Sequence, residues 1–66
     1  MISKKLGDVV RITNKSYAIH NKIGIITDVD YFEDFPIRVK IQNKIYHITE
    51  SDIKKLNKNK YPEYFL

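Results

Sequence analysis

Two glycine-led, β-branched stretches separated by a polar loop constrain this chain more than any other feature. Leu6-Gly-Asp-Val-Val-Arg-Ile-Thr13 is followed by the nine residues Asn14–Lys22 and then by Ile23-Gly-Ile-Ile-Thr-Asp-Val-Asp30. Valine, isoleucine and threonine are stiff at χ1 and pack well on a pleated surface, so both stretches read as strands. A glycine at the head of a strand marks either a positive φ or a close approach of another backbone, which applies to Gly7 and Gly24. In the first strand Val10 and Ile12 alternate with Arg11 and Thr13, which turns the two apolar residues inward; Val9 is ambiguous. In the second, Ile23, Ile26 and Val29 are the expected core residues. Their spacing breaks strict alternation and predicts a bulge or strong coiling. The connecting loop is too long for a tight hairpin and carries Tyr17 and Ile19, so it is expected to fold back on the body or to present them to a partner.

Everything after Asp30 serves to close this hairpin into a small barrel. Tyr31-Phe-Glu-Asp-Phe-Pro36 is a surface connection in which Phe32 or Phe35 is expected to cap one end of the core. Ile37-Arg-Val-Lys-Ile-Gln42 alternates strictly, placing Ile37, Val39 and Ile41 inside and Arg38 and Lys40 in water. Asn43-Lys44 is the expected turn, and Ile45–Ile48 pairs back, with Tyr46 inward and His47 outward. Thr49-Glu-Ser-Asp52 has the form of a capping box. Ile53–Leu56 fits either a helical turn or a short strand. A 3₁₀ turn at Glu50–Ile53 and then a fifth strand is favoured, because a sheet this small needs its edges hidden. The expected division is a barrel over residues 1–56 and a C-terminal tail over 57–66. In the tail the linker Asn57–Lys60 leads to the aromatic end Tyr61–Leu66, which either tucks onto the barrel or docks elsewhere. Met1–Lys5 reads as a short polar arm.

Size and charge bound the function. A chain of 66 residues buries only about 60% of its unfolded surface, so it is marginally stable and benefits from a staple or a partner. There is no cysteine and there are two separated histidines, His20 and His47. That removes disulfides and thiolate sites and leaves no spacing for a zinc ion. No glycine-rich phosphate loop is present. Ser16, Ser51, His20 and His47 make no recognisable nucleophile–base set, and the acidic pairs Asp28/Asp30 and Glu33/Asp34 lack calcium-loop spacing. No catalytic residue, metal, cofactor or small-molecule substrate is therefore expected.

No apolar run reaches the roughly 18 residues of a bilayer span, and Met1–Leu6 is too short and polar for a signal peptide. A soluble protein of the cytoplasm or an organelle stroma is expected, with a peripheral seat on a membrane complex left open. The net charge of +4 is unevenly spread: residues 28–34 carry four acids and no base. An acidic corner on a basic body suits attraction to an acidic macromolecule. Arg11, Lys15, Lys22, Arg38 and Lys40, with Tyr17 as an aromatic contact, are the candidate partner-binding residues; Tyr61 and Tyr64 are further interface candidates.

Gly7-Asp-Val-Val-Arg-Ile-Thr13 and Lys22-Ile-Gly-Ile-Ile-Thr-Asp-Val29 resemble the opening hairpin of SH3-like barrels, including the KOW modules of ribosomal and transcription proteins. Val10-Arg11-Ile12, Ser16-Tyr17, Asn21, Gly24, Val29-Asp30 and Phe35-Pro36-Ile37-Arg38-Val39-Lys40-Ile41 together resemble the stromal subunit IV of photosystem I. Tyr46–Ile53 is similar to the end of the variable subunit of ferredoxin-thioredoxin reductase. Against the photosystem family, Ala18 stands where a tryptophan is expected, and the long asparagine-rich loop before the last strand is missing. The resemblance implies an all-β, five-stranded SH3-like barrel with a single 3₁₀ turn before its last strand. It also implies a non-catalytic docking module: a peripheral subunit of an electron-transfer complex that steers an acidic protein such as ferredoxin. Two other expectations stand beside it. One is a KOW-like nucleic-acid-binding barrel, with Lys15, Lys22, Arg38, Lys40 and Lys44 on phosphates and Tyr17 stacking on a base. The other is a phage or bacterial accessory protein that modulates a host enzyme.

Overall fold

The computed structural model describes residues 4–65 and contains the strands β1 (Val9–Ile12), β2 (Ile23–Val29), β3 (Ile37–Ile41), β4 (Lys44–Ile48) and β5 (Ile53–Lys55). All pairings are antiparallel, in the order β4-β3-β2-β1-β5, and a 3₁₀ turn at Glu50–Asp52 leads directly into β5. This is an all-β, SH3-like barrel. The first and last strands of the sheet, β4 and β5, are joined through that turn.

The alternation in β3 works as the pattern demands, with Ile37, Val39 and Ile41 buried and Lys40 exposed. They join Val10, Ile12, Ile26, Ile48 and Ile53 in one core cluster, against which Tyr17, Ile19, Val29 and Tyr46 pack. The register of β2 on β3 slips between Ile26 and Asp28, which is the irregularity the uneven spacing in β2 predicts.

Ile23 is a correction. It stands opposite the outward Arg11 and is only half-buried, while Gly24, opposite Val10, takes the core-facing place. A Cβ at Gly24 would meet the Lys40 carbonyl at 2.6 Å and side-chain carbons of Val39 and Ile41 at 2.7 Å, so β2 and β3 pass too closely there for any side chain. Gly7 serves the other glycine role, at φ +88°. Val9 faces away from Val10, opposite Ile25, and is fully buried outside the core cluster.

Other expectations shift by a residue or reverse. The turn between β3 and β4 is Gln42-Asn43 rather than Asn43-Lys44, and Gln42 adopts φ +58°. The 3₁₀ turn ends at Asp52, one residue before the expected Ile53, which instead opens β5. Neither Phe32 nor Phe35 caps the core: they are 98% and 51% exposed. The loop is held instead by its backbone, through Asp30 N–H to the Pro36 carbonyl and Glu33 N–H to the Asp30 carbonyl.

Past β5 the chain makes 3₁₀ turns at Lys58–Lys60 and Pro62–Phe65, the first capped by the Asn57 side chain accepting from Asn59 N–H at 2.9 Å. Leu56 and Tyr61 are half-buried. Met1, Ile2 and Ser3 of the polar arm, Leu66, and the side chains of Tyr64 and Phe65 lie outside the described residues.

Candidate partner-binding surface

The outward face of the sheet is assembled by register. Arg11 of β1 stands opposite Ile23 of β2 on one side and Lys54 of β5 on the other. Lys40 of β3 stands between Ile25 of β2 and Ile45 of β4. Residues paired across antiparallel strands share a face, so Arg11, Lys40 and Lys54 project on the same side, interleaved with Ile23, Ile25 and Ile45. Ile45 is 47% exposed. Among the described residues none of the three cations has an acidic partner.

Arg38, on the same face, is different: its guanidinium donates to Asp28 Oδ2 at 2.6 Å, across the β2–β3 pair. Lys15 and Lys22 belong to the β1–β2 loop and are exposed. Thus Arg11, Arg38 and Lys40 come together on the sheet, Lys15 and Lys22 stand beside it on the loop, and Tyr17 has a job within the fold.

That job centres on Asp52. Its buried carboxylate accepts from Asn14 Nδ2 at 2.7 Å, Tyr17 Oη at 2.8 Å, Thr49 N–H at 3.0 Å and Thr49 Oγ1 at 2.8 Å. Its carbonyl accepts from Thr13 N–H at 2.8 Å. The β1–β2 loop is thereby tied to the 3₁₀ turn, closing the barrel where its two sheet ends meet. Burial works to raise the Asp52 carboxyl, but the donors from Asn14, Thr49 and Tyr17 outweigh it and hold the group below its ordinary value. The bond to Asp52, then burial and the nearby negative charge, push the Tyr17 hydroxyl up.

Between this loop and β4 runs an apolar groove of about 180 Å³ lined by Tyr17, Ala18, Ile19, Tyr46, His47 and Ile48. The hydroxyls of Ser16 and Ser51 are engaged elsewhere, with Asn14 and Thr49 respectively. No group of three or more metal-ligating side chains gathers among the described residues. No helix among them is long and apolar enough to cross a membrane.

Two features escape a reading of the sequence. Lys54 completes the basic face, yet the fifth strand is expected only after a 3₁₀ turn ending at Ile53 and is too short to show a period from which parity can be read. Tyr31, Phe32 and Phe35 form an exposed aromatic loop, and only the absence of periodicity between Asp30 and Pro36 hints that they have no core to join. Comparison with protein-family models, with curated proteins and with solved structures returns no match.

Proposed function

We propose that the protein is a non-catalytic docking module whose basic sheet face receives an acidic protein partner, in the manner of a peripheral subunit of an electron-transfer complex. The observation that carries this reading is Arg11 set directly opposite Lys54, with Lys40 two strands away from Arg11. Like charges opposite one another on a sheet cost stability, by about 0.2–1 kcal/mol. On the same face Asp28 relieves Arg38, whereas Arg11, Lys40 and Lys54 have no such carboxylate among the described residues. The other three carboxylates of residues 28–34, Asp30, Glu33 and Asp34, lie past β2, leaving Arg11, Lys40 and Lys54 free to attract an acidic surface. Such attraction raises association rates by about 10–10³-fold and fades with salt. The likeness of Val10–Ile12, Ser16-Tyr17, Gly24 and Phe35–Ile41 to the stromal subunit IV of photosystem I supports electron transfer as the setting.

The test is calorimetric titration with an acidic plant-type ferredoxin and, separately, with duplex DNA, over a range of salt. Ferredoxin should bind at low salt and weaken as salt rises, and Arg11→Glu with Lys40→Glu should weaken it at least about tenfold. For DNA, log K against log salt should have a slope near zero, whereas a KOW-like nucleic-acid barrel would lose affinity steeply with salt. No ferredoxin binding at low salt, or tighter binding to DNA, contradicts the proposal.

A further inference from the structure

Two further surface features lie outside the basic face, and their chemistry is complementary. The first is the β2–β3 loop, where Tyr31, Phe32 and Phe35 are 67%, 98% and 51% exposed among Asp30, Glu33 and Asp34. Leaving a phenylalanine in water forgoes about 1.5–3 kcal/mol of burial, which a small and marginal domain can ill spare. The second is the groove between the β1–β2 loop and β4, whose walls are the side chains of Tyr17, Ile19, Tyr46 and Ile48. Its volume of about 180 Å³ compares with the roughly 150 Å³ that suffices to hold a benzene ring. No carboxylate lines the groove; the nearby Asp52 is occupied by its four hydrogen bonds. Along the chain, Lys15, Lys22 and Lys44 flank the lining segments within three residues, and all are exposed.

We propose that the β2–β3 loop of one copy inserts Phe32 into the Tyr17–Tyr46 groove of a second copy, so that the chain associates head to tail. The ring would bury against two tyrosines, and the loop's carboxylates would meet lysines of the segments that line the groove. The contact is heterologous: each copy that donates its loop still offers an empty groove, so assembly continues or closes into a ring rather than stopping at a dimer. Arg11, Lys40 and Lys54 take no part in it, so the basic face and this contact are separable.

Analytical ultracentrifugation of the full chain over a concentration series tests the proposal. The average mass should rise with concentration and fall back as salt screens the loop. Phe32→Ala removes the anchor and Ala18→Glu places a carboxylate in the groove; both positions are exposed, so circular dichroism should show each variant folded. Each variant alone should be monomeric. Mixed in equal amounts they should form a dimer and nothing larger, because the intact groove of one takes the intact loop of the other and the leftover pair is defective. Wild-type protein that stays monomeric up to about 1 mM overturns the proposal. So does association of the wild type without dimer formation in the mixture, which would mean that the exposed rings simply cluster.

Discussion

Asp52 shows how one side chain can hold a barrel shut. A buried carboxylate is tolerable only when its lone pairs are satisfied, and here donors from three different residues satisfy them. Asp52→Asn keeps the shape but faces these donors with an amide, and urea denaturation should show a loss of about 2–3 kcal/mol. The pH dependence follows from the two shifted groups. Asp52 titrates lower in the folded state, so its contribution is complete above the unfolded value near 4 and disappears as pH falls through the folded one. Tyr17 titrates higher when folded, so its contribution is complete below the unfolded value near 10 and disappears as pH rises through the folded one. Tyr17→Phe should remove the Tyr17 contribution from the alkaline limb and weaken the acid one, as read from unfolding midpoints against pH. Among the described residues two non-glycine residues take a positive φ, Asn21 at +71° and Gln42 at +58°, and Gln42 lacks both the freedom of glycine and the tolerance of asparagine. Gln42→Gly should therefore raise stability by about 0.5–1 kcal/mol in the same assay.

Among the elements, β2 and β3 depend on each other through Gly24. Gly24→Ala would force a methyl group against the Lys40 carbonyl and should cost about 3 kcal/mol or prevent folding, measured by thermal unfolding. A glycine in this place is legible in the sequence as a close backbone approach. Which face it occupies is not, because the bulge at Ile26–Asp28 breaks the period on which parity depends. Hence Ile26 and Val29 can be read as core residues, whereas Ile23 misleads. β3 is transparent because nothing interrupts its alternation, and that same parity places Arg38 and Lys40 outside. The turn at Gln42-Asn43 is displaced by one residue from the sequence expectation because Asn43-Lys44 has the commoner turn chemistry; Gln42 takes the left-handed position against its own preference. In the β2–β3 loop, only hydrophobicity argues for Phe32 or Phe35 in the core, a property that says nothing about direction once periodicity stops. At concentrations low enough to keep the chain monomeric, Phe32→Ser should leave thermal stability within about 0.5 kcal/mol of wild type.

Over the whole molecule, charge is sorted rather than spread. Four acids sit in the stretch 28–34, while the outward row of the sheet carries Arg11, Lys40 and Lys54 without counterparts among the described residues. Lys54→Glu would convert the repulsive Arg11–Lys54 neighbours into an attractive pair. It should stabilise the fold by about 0.5 kcal/mol while weakening the binding of an acidic protein, so that stability and function move in opposite directions. The most direct measurement is a two-dimensional NMR titration of the labelled chain with ferredoxin at low salt. Docking on the basic face predicts that the shifted amides cluster on β1, β3 and β5 around Arg11, Lys40 and Lys54, and that added salt reverses the shifts. Shifts confined to the Asp30–Pro36 loop, or none at all, would contradict the account.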